Sequence, residues 1–387
     1  MITYRGRDII YLDNAATSLP KPLEVVEAVK DALLRAGNPG RSGHSLSFES
    51  MRDIFETREV IAQLIHCRES KRIILTPNAT FALNQAIKGC LLPNDHVITT
   101  VMEHNSVLRP LTTLASLGVE VTYVEADPWG VIDPADIERS FKENTKMVVM
   151  VQASNVTGSV YDVSAVGDAC RKKGVVFLVD AAQTAGVVDI DVGRMNIDLL
   201  AASGHKSLFG PQGTGFLYAG ENIDLDPLIE GGTGSRSEKD RHPGFLPDRL
   251  EAGTPNSPGI AGLRRGVEYV LKRGINKIHA HEMELLGIFL EGVKDLERVC
   301  VYGADAPGER VGVIPVNVDG IDPGELSLQL DDDYGILVRP GLHCAPFAHR
   351  ALGTFPEGAV RISFSVLNTR REAEKAVEAF RTICEKN

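Results

Sequence analysis

The sequence predicts an α/β protein in which a large, doubly wound domain, built on a mixed and mostly parallel sheet, is joined to a smaller α+β domain. Nearly continuous apolar, β-branched runs recur over the first two-thirds of the chain, and helical patterns separate them. Such uninterrupted runs are typical of strands that are buried on both faces of a parallel sheet. The chain has 387 residues. Since single cores stop growing near ~250–300 residues, this length favours a second domain.

The large domain is predicted to span residues 20–255. Segment 49–65, ESMRDIFETREVIAQLI, carries apolar residues at near-helical spacing and represents the helices that alternate with the strands. Alternation of this kind is what a doubly wound domain requires. The predicted strands are 72–75, 96–101, 119–124, 147–151, 175–179 and 198–202.

The small domain is predicted to contain residues 1–19 and 256–387. Pro255 and Pro258, in the segment GTPNSPG, favour a boundary between the two domains. Gly274 separates two helical patterns that follow this boundary. The predicted elements of this domain are helices at 257–273, at 275–296 and from Arg371 onward, and strands at 311–318 and 360–365.

Composition and charge exclude several classes of function. Hydrophobic residues make up 43% of the chain and charged residues 24%, as in an ordinary globular protein. The net charge of −11 repels nucleic acids and anionic membranes, so we expect neither as a main partner. No apolar run is long enough to span a membrane, and the N-terminus lacks the apolar core of a signal peptide. Six scattered cysteines without a C-x-x-C pair favour a reducing, cytoplasmic setting.

A lysine follows the last of the predicted buried strands, in LLAASGHKS. Burying an ammonium group is costly unless the group is paired or neutral. Desolvation lowers the pKa of an amine, which is what a lysine that forms a Schiff base needs, so Lys206 is a candidate for that role. Ser203 and His205 beside it can bind an anionic group. The alternative is a surface lysine in a loop.

A carboxylate follows the preceding strand directly, in VVFLVDAAQ. Asp180 is therefore predicted to point into the crevice at the carboxyl ends of the strands, where α/β folds bind ligands. There it can hold the proton of a pyridinium ring, and Gln183 can reach an oxygen of the same ring. The alternative is that Asp180 caps the next helix.

Two further strand ends carry polar residues. In ILTPNATFALN, a helix begins after a polar turn, so the backbone N–H groups of Ala79 and Thr80 form a candidate phosphate site. An ordinary N-cap, made by Asn78 or Thr80, is the alternative. In VMEHNS, His104 can stack on an aromatic ring, or it can be a structural histidine.

The segment LVRPGLHCAPFAH contains a cysteine in a loop-like stretch. Cys344 is predicted to be exposed, and the positive charges of Arg339 and His343 are expected to favour its reactive thiolate form. Farther on, Arg361 in AVRISFS is placed to bind a carboxylate with two hydrogen bonds. The alternative for Arg361 is an edge-strand arginine in a surface ion pair.

The segment HAHE resembles a metal cluster. On a helix, however, residues His279 and His281 do not face the same way. We interpret these two residues, with Glu282, as a solvated helix face, and we predict no metal site.

The order of the motifs is more specific than any one of them. It runs TPNAT, EHNSVLRP, SNVTG, VDAAQ, SGHK, EAGTPN, RPGLHC and VRISFSVLNT. This order resembles the class V aminotransferase superfamily of the fold-type I pyridoxal-phosphate enzymes, and most closely its cysteine desulfurase and selenocysteine lyase branch. The likeness runs from YLDNAATSLP, at 11–20, to the last helix. The short loop around Cys344 resembles the group II enzymes.

The resemblance implies a role for each candidate residue, with pyridoxal 5'-phosphate as the cofactor. Lys206 would hold the cofactor covalently, Asp180 would pair with its ring nitrogen, and Gln183 would contact its phenolic oxygen. Arg361 would bind the substrate carboxylate with Arg339 nearby. The other implied roles are ring contacts by His104 and Asn155, phosphate binding by Ala79, Thr80, Ser203 and His205, and binding of the neighbouring subunit's phosphate by Thr254. The last role implies a homodimer.

The implied reaction removes sulfur from L-cysteine, leaving L-alanine and a persulfide on Cys344, from which a sulfur-acceptor protein would take the sulfur. Three alternatives stay open: a selenocysteine lyase that acts on L-selenocysteine, an aminotransferase or C–S lyase of the same superfamily, and a catalytically silent scaffold in sulfur assembly. The phosphate turn reads NAT where many relatives read GTT, so Ala79 would contribute its backbone alone. The stretch from Cys344 to Arg361 is longer than in better-known group II members, which leaves the sulfur acceptor open.

Overall fold

The structure is a computed structural model that describes residues 2–4, 6–39, 43–303 and 308–386. Strands and helices alternate over most of the first 220 residues, and helices predominate after that. The strands are β1 Ile2–Tyr4, β2 Arg7–Tyr11, β3 Ile73–Thr76, β4 His96–Thr100, β5 Glu120–Val124, β6 Thr145–Val151, β7 Val176–Asp180, β8 Leu199–Ser203, β9 Gly215–Ala219, β10 Val299–Val301, β11 Val313–Val318, β12 Ile336–Leu337 and β13 Val360–Ser363. The α-helices are α1 Leu23–Arg35, α2 Ser45–Leu64, α3 Ala79–Cys90, α4 Asn105–Ala115, α5 Pro134–Arg139, α6 Val163–Lys173, α7 Ser257–Arg273, α8 Ile275–Val293, α9 Pro323–Tyr334, α10 Pro346–Ala351 and α11 Arg370–Lys386.

A seven-stranded sheet in the order β3-β9-β8-β7-β6-β4-β5 organises the large domain. Strands β8, β7, β6, β4 and β5 are parallel neighbours, and β9 runs antiparallel to both β8 and β3. Each of the six predicted strands overlaps an observed strand of this sheet. The prediction of an α/β fold with a mixed, mostly parallel sheet is confirmed. None of the helices in the described ranges is both long and apolar enough to cross a membrane.

Two smaller sheets and a separate apolar cluster lie outside the large sheet. Strands β10, β11 and β13 form an antiparallel sheet, and β2 pairs with β1 and with β12. Ile10 and Leu12, near the N-terminus, pack in one buried cluster with Phe289 and Phe380 from the C-terminal part. Helix α7 buries Leu263 against the core of the large domain instead. The exact domain bounds stay a prediction.

The fold places polar side chains at one edge of the large sheet. Because neighbouring parallel strands end at the same edge, the last residues of β7 and β8, Asp180 and Ser203, lie close to one another. The segment after β8 carries Lys206 and then packs closely on α7. A side chain at Gly266 of α7 would collide with the carbonyl oxygen of Leu208. Glycine at this position therefore lets the helix support the lysine-bearing segment.

Candidate functional site

A cavity of about 290 Å³ lies at the carboxyl ends of the parallel strands. Its lining brings together residues that are far apart in the sequence, from the N-terminal segment to β13. The sequence-predicted residues that line it are Ala79, Thr80, His104, Asn155, Asp180, Gln183, Ser203, His205, Lys206, Arg339 and Arg361. Two predicted residues do not line this cavity, namely Cys344 and Thr254.

Asp180 is the last residue of β7 and is only 3% exposed. Its Oδ1 accepts a hydrogen bond of 2.9 Å from the backbone N–H of Ala182. Burial raises the pKa of this carboxyl group, while the Ala182 hydrogen bond and the charge of Lys206 oppose the rise. A buried carboxylate that faces a cavity is suited to pair with a cationic group of a ligand.

Lys206 is half-buried and lines the same cavity. Burial lowers its pKa from the ordinary 10.5 to about 8, and the negative charge of Asp180 opposes this shift. About a tenth of the amine is thus neutral, and therefore nucleophilic, at pH 7, a far larger share than at the ordinary pKa of 10.5. The interpretation of Lys206 as a surface lysine in a loop does not fit this environment.

The backbone around Lys206 is fixed by two residues that the sequence analysis missed. The hydroxyl group of Ser18 donates to the carbonyl oxygen of Lys206 at 2.8 Å. The ammonium group of Lys21 donates to Ser18 Oγ and to the carbonyl oxygen of His205, both at 2.7 Å. Burial lowers the pKa of Lys21 to about 8. Ser18 lies within the family motif at 11–20, and Lys21 follows directly after that motif, so neither residue had a sequence signal of its own.

The N-terminus of α3 forms a polar corner of the cavity. Asn78 caps the helix, since its Oδ1 accepts from the N–H of Phe81 at 2.9 Å. The N–H of Ala79 donates to Ser203 Oγ at 3.3 Å, and Thr80 Oγ1 lies 2.7 Å from Ser106 Oγ. Hydroxyl groups therefore converge where backbone N–H groups and the helix dipole favour negative charge. Capping by Asn78 is confirmed, and it does not prevent anion binding at the same turn, which stays a prediction.

His104 and His205 are neutral rings at the wall of the cavity. Nδ1 of His104 accepts the N–H of Ser106 at 3.0 Å, so the proton of the neutral ring resides on Nε2. Burial is the main reason that the pKa values of His104 and His205 are lowered to about 4. His104 also caps α4. Nδ1 of His104 thus has the structural role that was the alternative, and the rest of the ring remains available to a ligand.

Asn155 and Gln183 present amide oxygens to the cavity. Nδ2 of Asn155 donates to the carbonyl oxygen of His343 at 2.8 Å, and Nε2 of Gln183 donates to that of Ala15 at 3.2 Å. These bonds fix which end of each amide is the nitrogen. Within the described residues, Oδ1 of Asn155 and Nδ1 of His205 are buried without a hydrogen-bond partner. Buried polar atoms without partners indicate a polar ligand in the cavity.

Arg361 lies on β13 and is 1% exposed. Its Nη2 donates to Asp13 Oδ1 at 2.9 Å, and its Nη1 donates to the carbonyl oxygen of Asn155 at 3.1 Å. Among the described residues Nε of Arg361 has no hydrogen-bond partner, so the guanidinium keeps a donor for a ligand of the cavity that Arg361 lines. The alternative of a surface ion pair is wrong, because the side chain is fully buried. Asp13 was not predicted.

Cys344 is exposed beside the cavity, as predicted. Nη2 of Arg339 lies 3.8 Å from its sulfur atom, so Arg339 supplies the expected positive charge. The expectation that His343 adds a second charge is wrong. His343 is 3% exposed, and burial lowers its pKa to about 2, so the ring is neutral.

Thr254 is exposed and lines a different cavity, which it shares with Met51, Phe81 and Gly213. The single chain therefore does not bring Thr254 to the residues around Lys206. Its implied role across a dimer stays a prediction.

The HAHE segment is not a solvated helix face. His279 Nε2 and His281 Nε2 lie 2.6 Å and 2.9 Å from the backbone carbonyl oxygens of Arg310 and Asn368. Glu282 is 3% exposed, and burial raises its pKa to about 8. That interpretation was wrong because this part of α8 faces neighbouring chain segments. In the parts of the chain that the structure describes, no group of three His, Cys, Asp or Glu side chains is arranged to hold a metal ion.

Known proteins resemble this chain over nearly its whole length. The sequence model of the aminotransferase class-V family matches residues 10–376. A probable cysteine desulfurase of Methanothermobacter thermautotrophicus is 35% identical over 97% of this chain and 95% of its own length. One of Pyrococcus abyssi is 37% identical over 95% of this chain and 92% of its own. The apo structure of the cysteine desulfurase of Thermococcus onnurineus is 33% identical in sequence and superposes with a TM-score of 0.91. The match covers 98% of this chain and 95% of the Thermococcus chain.

Proposed function

Because the chain belongs to the class-V aminotransferase family and to the cysteine desulfurases within it, we propose that it takes the sulfur of L-cysteine onto Cys344 and releases L-alanine. The single observation that carries this proposal is the geometry at the mouth of the cavity. There the exposed Cys344 lies next to Arg339, whose guanidinium also lines the cavity that holds Lys206, Asp180 and Arg361.

The residues that line the cavity fit pyridoxal 5'-phosphate. Asp180 is suited to the ring nitrogen, because a buried carboxylate favours a protonated pyridinium. The amide oxygen of Asn155 and Nδ1 of His205 are buried without partners among the described residues. A ligand with a hydroxyl group and a phosphate satisfies both kinds of atom. When bound, pyridoxal phosphate supplies a ring that withdraws electrons from the substrate carbon atoms.

The phosphate group fits the corner at the N-terminus of α3. The backbone N–H of Ala79 and the hydroxyl groups of Thr80 and Ser203 supply hydrogen-bond donors there. His205 lines the same cavity and is neutral, since burial lowers its pKa to about 4. A neutral imidazole can donate one hydrogen bond without bringing in a charge.

Lys206 binds the cofactor and moves protons. Its amine is partly neutral near pH 8, since burial lowers its pKa to about that value. An amine with a pKa close to the working pH can both accept and donate a proton. Hydrogen bonds from Ser18 and Lys21 to the backbone at residues 205 and 206 hold the base of this side chain in place.

Arg361 orients the substrate by its carboxylate. A guanidinium offers five N–H donors in a planar fork, and Asp13 and the Asn155 carbonyl oxygen engage only part of them. The two contacts fix the plane of the fork. A carboxylate bound there places the substrate sulfur toward the mouth of the cavity, where Arg339 and Cys344 lie.

Cys344 accepts the sulfur. Its thiolate attacks the substrate sulfur, so that an S–S bond forms while the bond between the substrate Cβ and sulfur breaks. The electron pair of the broken bond stays with the substrate carbon skeleton, which takes up a proton and leaves as alanine. L-Cysteine and the enzyme thiol thus become L-alanine and an enzyme persulfide. Arg339, 3.8 Å from the sulfur, stabilises the anionic form before attack.

The protein acts as a homodimer in this proposal. Apolar side chains that are 45–74% exposed lie on α1 and α2, including Leu33, Leu34, Met51 and Phe55. Met51 lines the same cavity as Thr254. Exposed apolar side chains on these helices favour a protein–protein interface. In this proposal the interface includes the cavity that Thr254 and Met51 line, and Thr254 binds the partner's phosphate, as the family resemblance implies. Six free cysteines and a persulfide product suit a reducing, cytoplasmic setting with a sulfur-acceptor protein.

Two exposed cysteines allow a matched test. Cys344→Ser should bind pyridoxal phosphate normally but release almost no alanine from L-cysteine, because the nucleophile is lost. Cys300→Ser is the control, since Cys300 is also exposed but lies on β10, away from the cavity. Alanine release in the presence of a reductant measures both. Normal turnover by Cys344→Ser, or a loss that is equal in both variants, would contradict the proposal.

A further inference from the structure

The loop that carries Cys344 has an unusual backbone. His343 and Cys344 have φ angles of +49° and +57°, so two consecutive residues with side chains adopt the left-handed conformation. This conformation costs roughly 1–2 kcal/mol per residue, and it persists only where the surroundings determine it. Hydrogen bonds from Asn155 Nδ2 to the His343 carbonyl oxygen and from the Asn105 N–H to that of Cys344 hold the loop from outside.

A series of hydrogen bonds between buried side chains also supports the loop. Nε2 of His343 lies 2.9 Å from the carbonyl oxygen of Arg339, and its Nδ1 lies 3.1 Å from Nε2 of His349. Nδ1 of His349 lies 2.7 Å from the hydroxyl group of Thr354. All three side chains are buried, with exposed fractions of 3%, 0% and 6%. None of these contacts has a part in the reaction as described above.

The directions of these hydrogen bonds follow from one another. A carbonyl oxygen only accepts, so Nε2 of His343 carries the proton. Burial keeps both rings neutral, since the pKa values of His343 and His349 are lowered to about 2 and about 4. Nδ1 of the neutral His343 must then accept, so Nε2 of His349 donates. Nδ1 of His349 accepts in turn, and the hydroxyl group of Thr354 donates to it.

We propose that His349, oriented by Thr354, is a positioning residue that locks His343 in its Nε2-protonated form and thereby holds Arg339 and the sulfur of Cys344 together. Without the proton from His349, Nδ1 of His343 is left buried without a donor, and only the Arg339 carbonyl oxygen still favours Nε2 as the protonated atom. The bond to the Arg339 carbonyl oxygen is then lost for part of the time. The left-handed residues His343 and Cys344 then lose their bond to Arg339, whose own backbone stays paired with Arg361. The sulfur atom of Cys344 can therefore move away from the guanidinium of Arg339.

This inference deepens the proposed function, but its test does not depend on turnover. The holoenzyme is alkylated with iodoacetate or with iodoacetamide, and peptide mass spectrometry gives the rate at Cys344. The exposure of the cysteine and its thiolate fraction affect both rates equally, so they cancel in the ratio of the two rates. It therefore reports the positive charge that attracts the anionic reagent. Cys300, which is exposed in the same molecule, is the internal reference.

His349→Leu should lower the iodoacetate-to-iodoacetamide ratio at Cys344 about fivefold, the effect of one charge at about 4 Å in water. Arg339→Ala should lower it as far. His349→Gln should restore most of the ratio, because its amide can donate from nearly the position of Nε2. The ratio at Cys300 should stay the same throughout. In turnover of L-cysteine, His349→Leu should lower kcat and leave KM unchanged.

Two substitutions of Thr354 form a second pair of test variants if His349→Leu does not fold. Thr354→Val removes the hydroxyl group at nearly constant volume and should lower the ratio at Cys344, whereas Thr354→Ser should keep it. An unchanged ratio in His349→Leu or Thr354→Val, or an equal fall in His349→Gln, would overturn the proposal. If the ratios behave as expected but no alanine is released from L-cysteine, the positioning role stands and the proposed function fails.

Discussion

Replacing Lys206 by methionine should stabilise the cofactor-free protein at neutral pH. A pKa that falls from 10.5 to about 8 corresponds to at most about 3.4 kcal/mol of charging penalty, at about 1.4 kcal/mol per pKa unit. Lys206 is only half-buried, so solvent screening reduces this penalty, and we expect a gain of about 1–2 kcal/mol in the free energy of unfolding. Methionine keeps the length of the apolar stem and removes the charge.

The sign of the effect depends on pH. Because the folded pKa of Lys206 is below the unfolded one, the unfolded chain binds the proton more tightly. The penalty is fully present below the folded pKa of about 8, and it disappears as pH rises toward the unfolded value of 10.5. The gain from Lys206→Met should therefore be largest near pH 7 and should vanish above pH 10.5.

Urea unfolding at pH 7 and at pH 10.5, at one protein concentration, measures this difference. Lys172→Met is the matched control, because Lys172 is exposed on α6, and it should change the free energy of unfolding little at either pH. A Lys206→Met variant that is less stable than the wild type at pH 7, or a gain that does not depend on pH, would refute the argument from burial.

Two further predictions concern Arg361, which binds the substrate in our proposal, and His104. The lysine of an Arg361→Lys variant cannot reproduce the planar fork that engages Asp13 and Asn155. We therefore expect the KM for L-cysteine, measured by alanine release, to rise about tenfold or more. An unchanged KM would exclude binding of the substrate carboxylate by Arg361. His104 has its pKa lowered by burial to about 4, so the unfolded chain takes up the proton first and stability falls as pH drops from 6.5 toward 4. His104→Gln should flatten this part of a plot of Tm against pH, and an unchanged slope would show that the ring is accessible to protons.

The strands of the large sheet could be predicted because their signal is local. Most of the predicted runs are nearly continuous in apolar residues, and the sheet buries both faces of β4, β6, β7 and β8. Strand β9, GFLYA, was missed because it follows a loop rich in glycine and proline. Helix α1 was missed as well. Only Val25 of that helix is buried, while Leu23, Leu33 and Leu34 are exposed, so its apolar residues do not form one stripe.

The site was predictable where chemistry follows the end of a strand. Asp180 stands directly after a buried run, Lys206 follows another after three small or polar residues, and the order of motifs assigned the rest. Asp13 could not be found in this way, because it pairs with Arg361 across 348 positions. Lys21 likewise reaches the carbonyl oxygen of His205 across 184 positions. Contacts between residues so far apart in the sequence depend on the fold, and no local sequence pattern indicates them.

The charge of His343 was predicted wrongly for a physical reason. A histidine beside a loop cysteine is positive only where water or a carboxylate supports the charge. His343 is instead buried against the neutral ring of His349, and burial lowers its pKa to about 2. Burial cannot be inferred from the letters RPGLHCA, since the same stretch contains the exposed Cys344.

The position of the transferred sulfur shows directly whether Cys344 accepts the sulfur of L-cysteine. Wild-type holoenzyme is given L-cysteine labelled with a sulfur isotope, in the absence of a reductant, and its peptides are analysed by mass spectrometry. We expect one labelled sulfur on the peptide that contains Cys344, and one alanine released for each sulfur bound. Label on the peptides of Cys67, Cys90, Cys170, Cys300 or Cys384 instead, or alanine released without bound sulfur, would contradict the account.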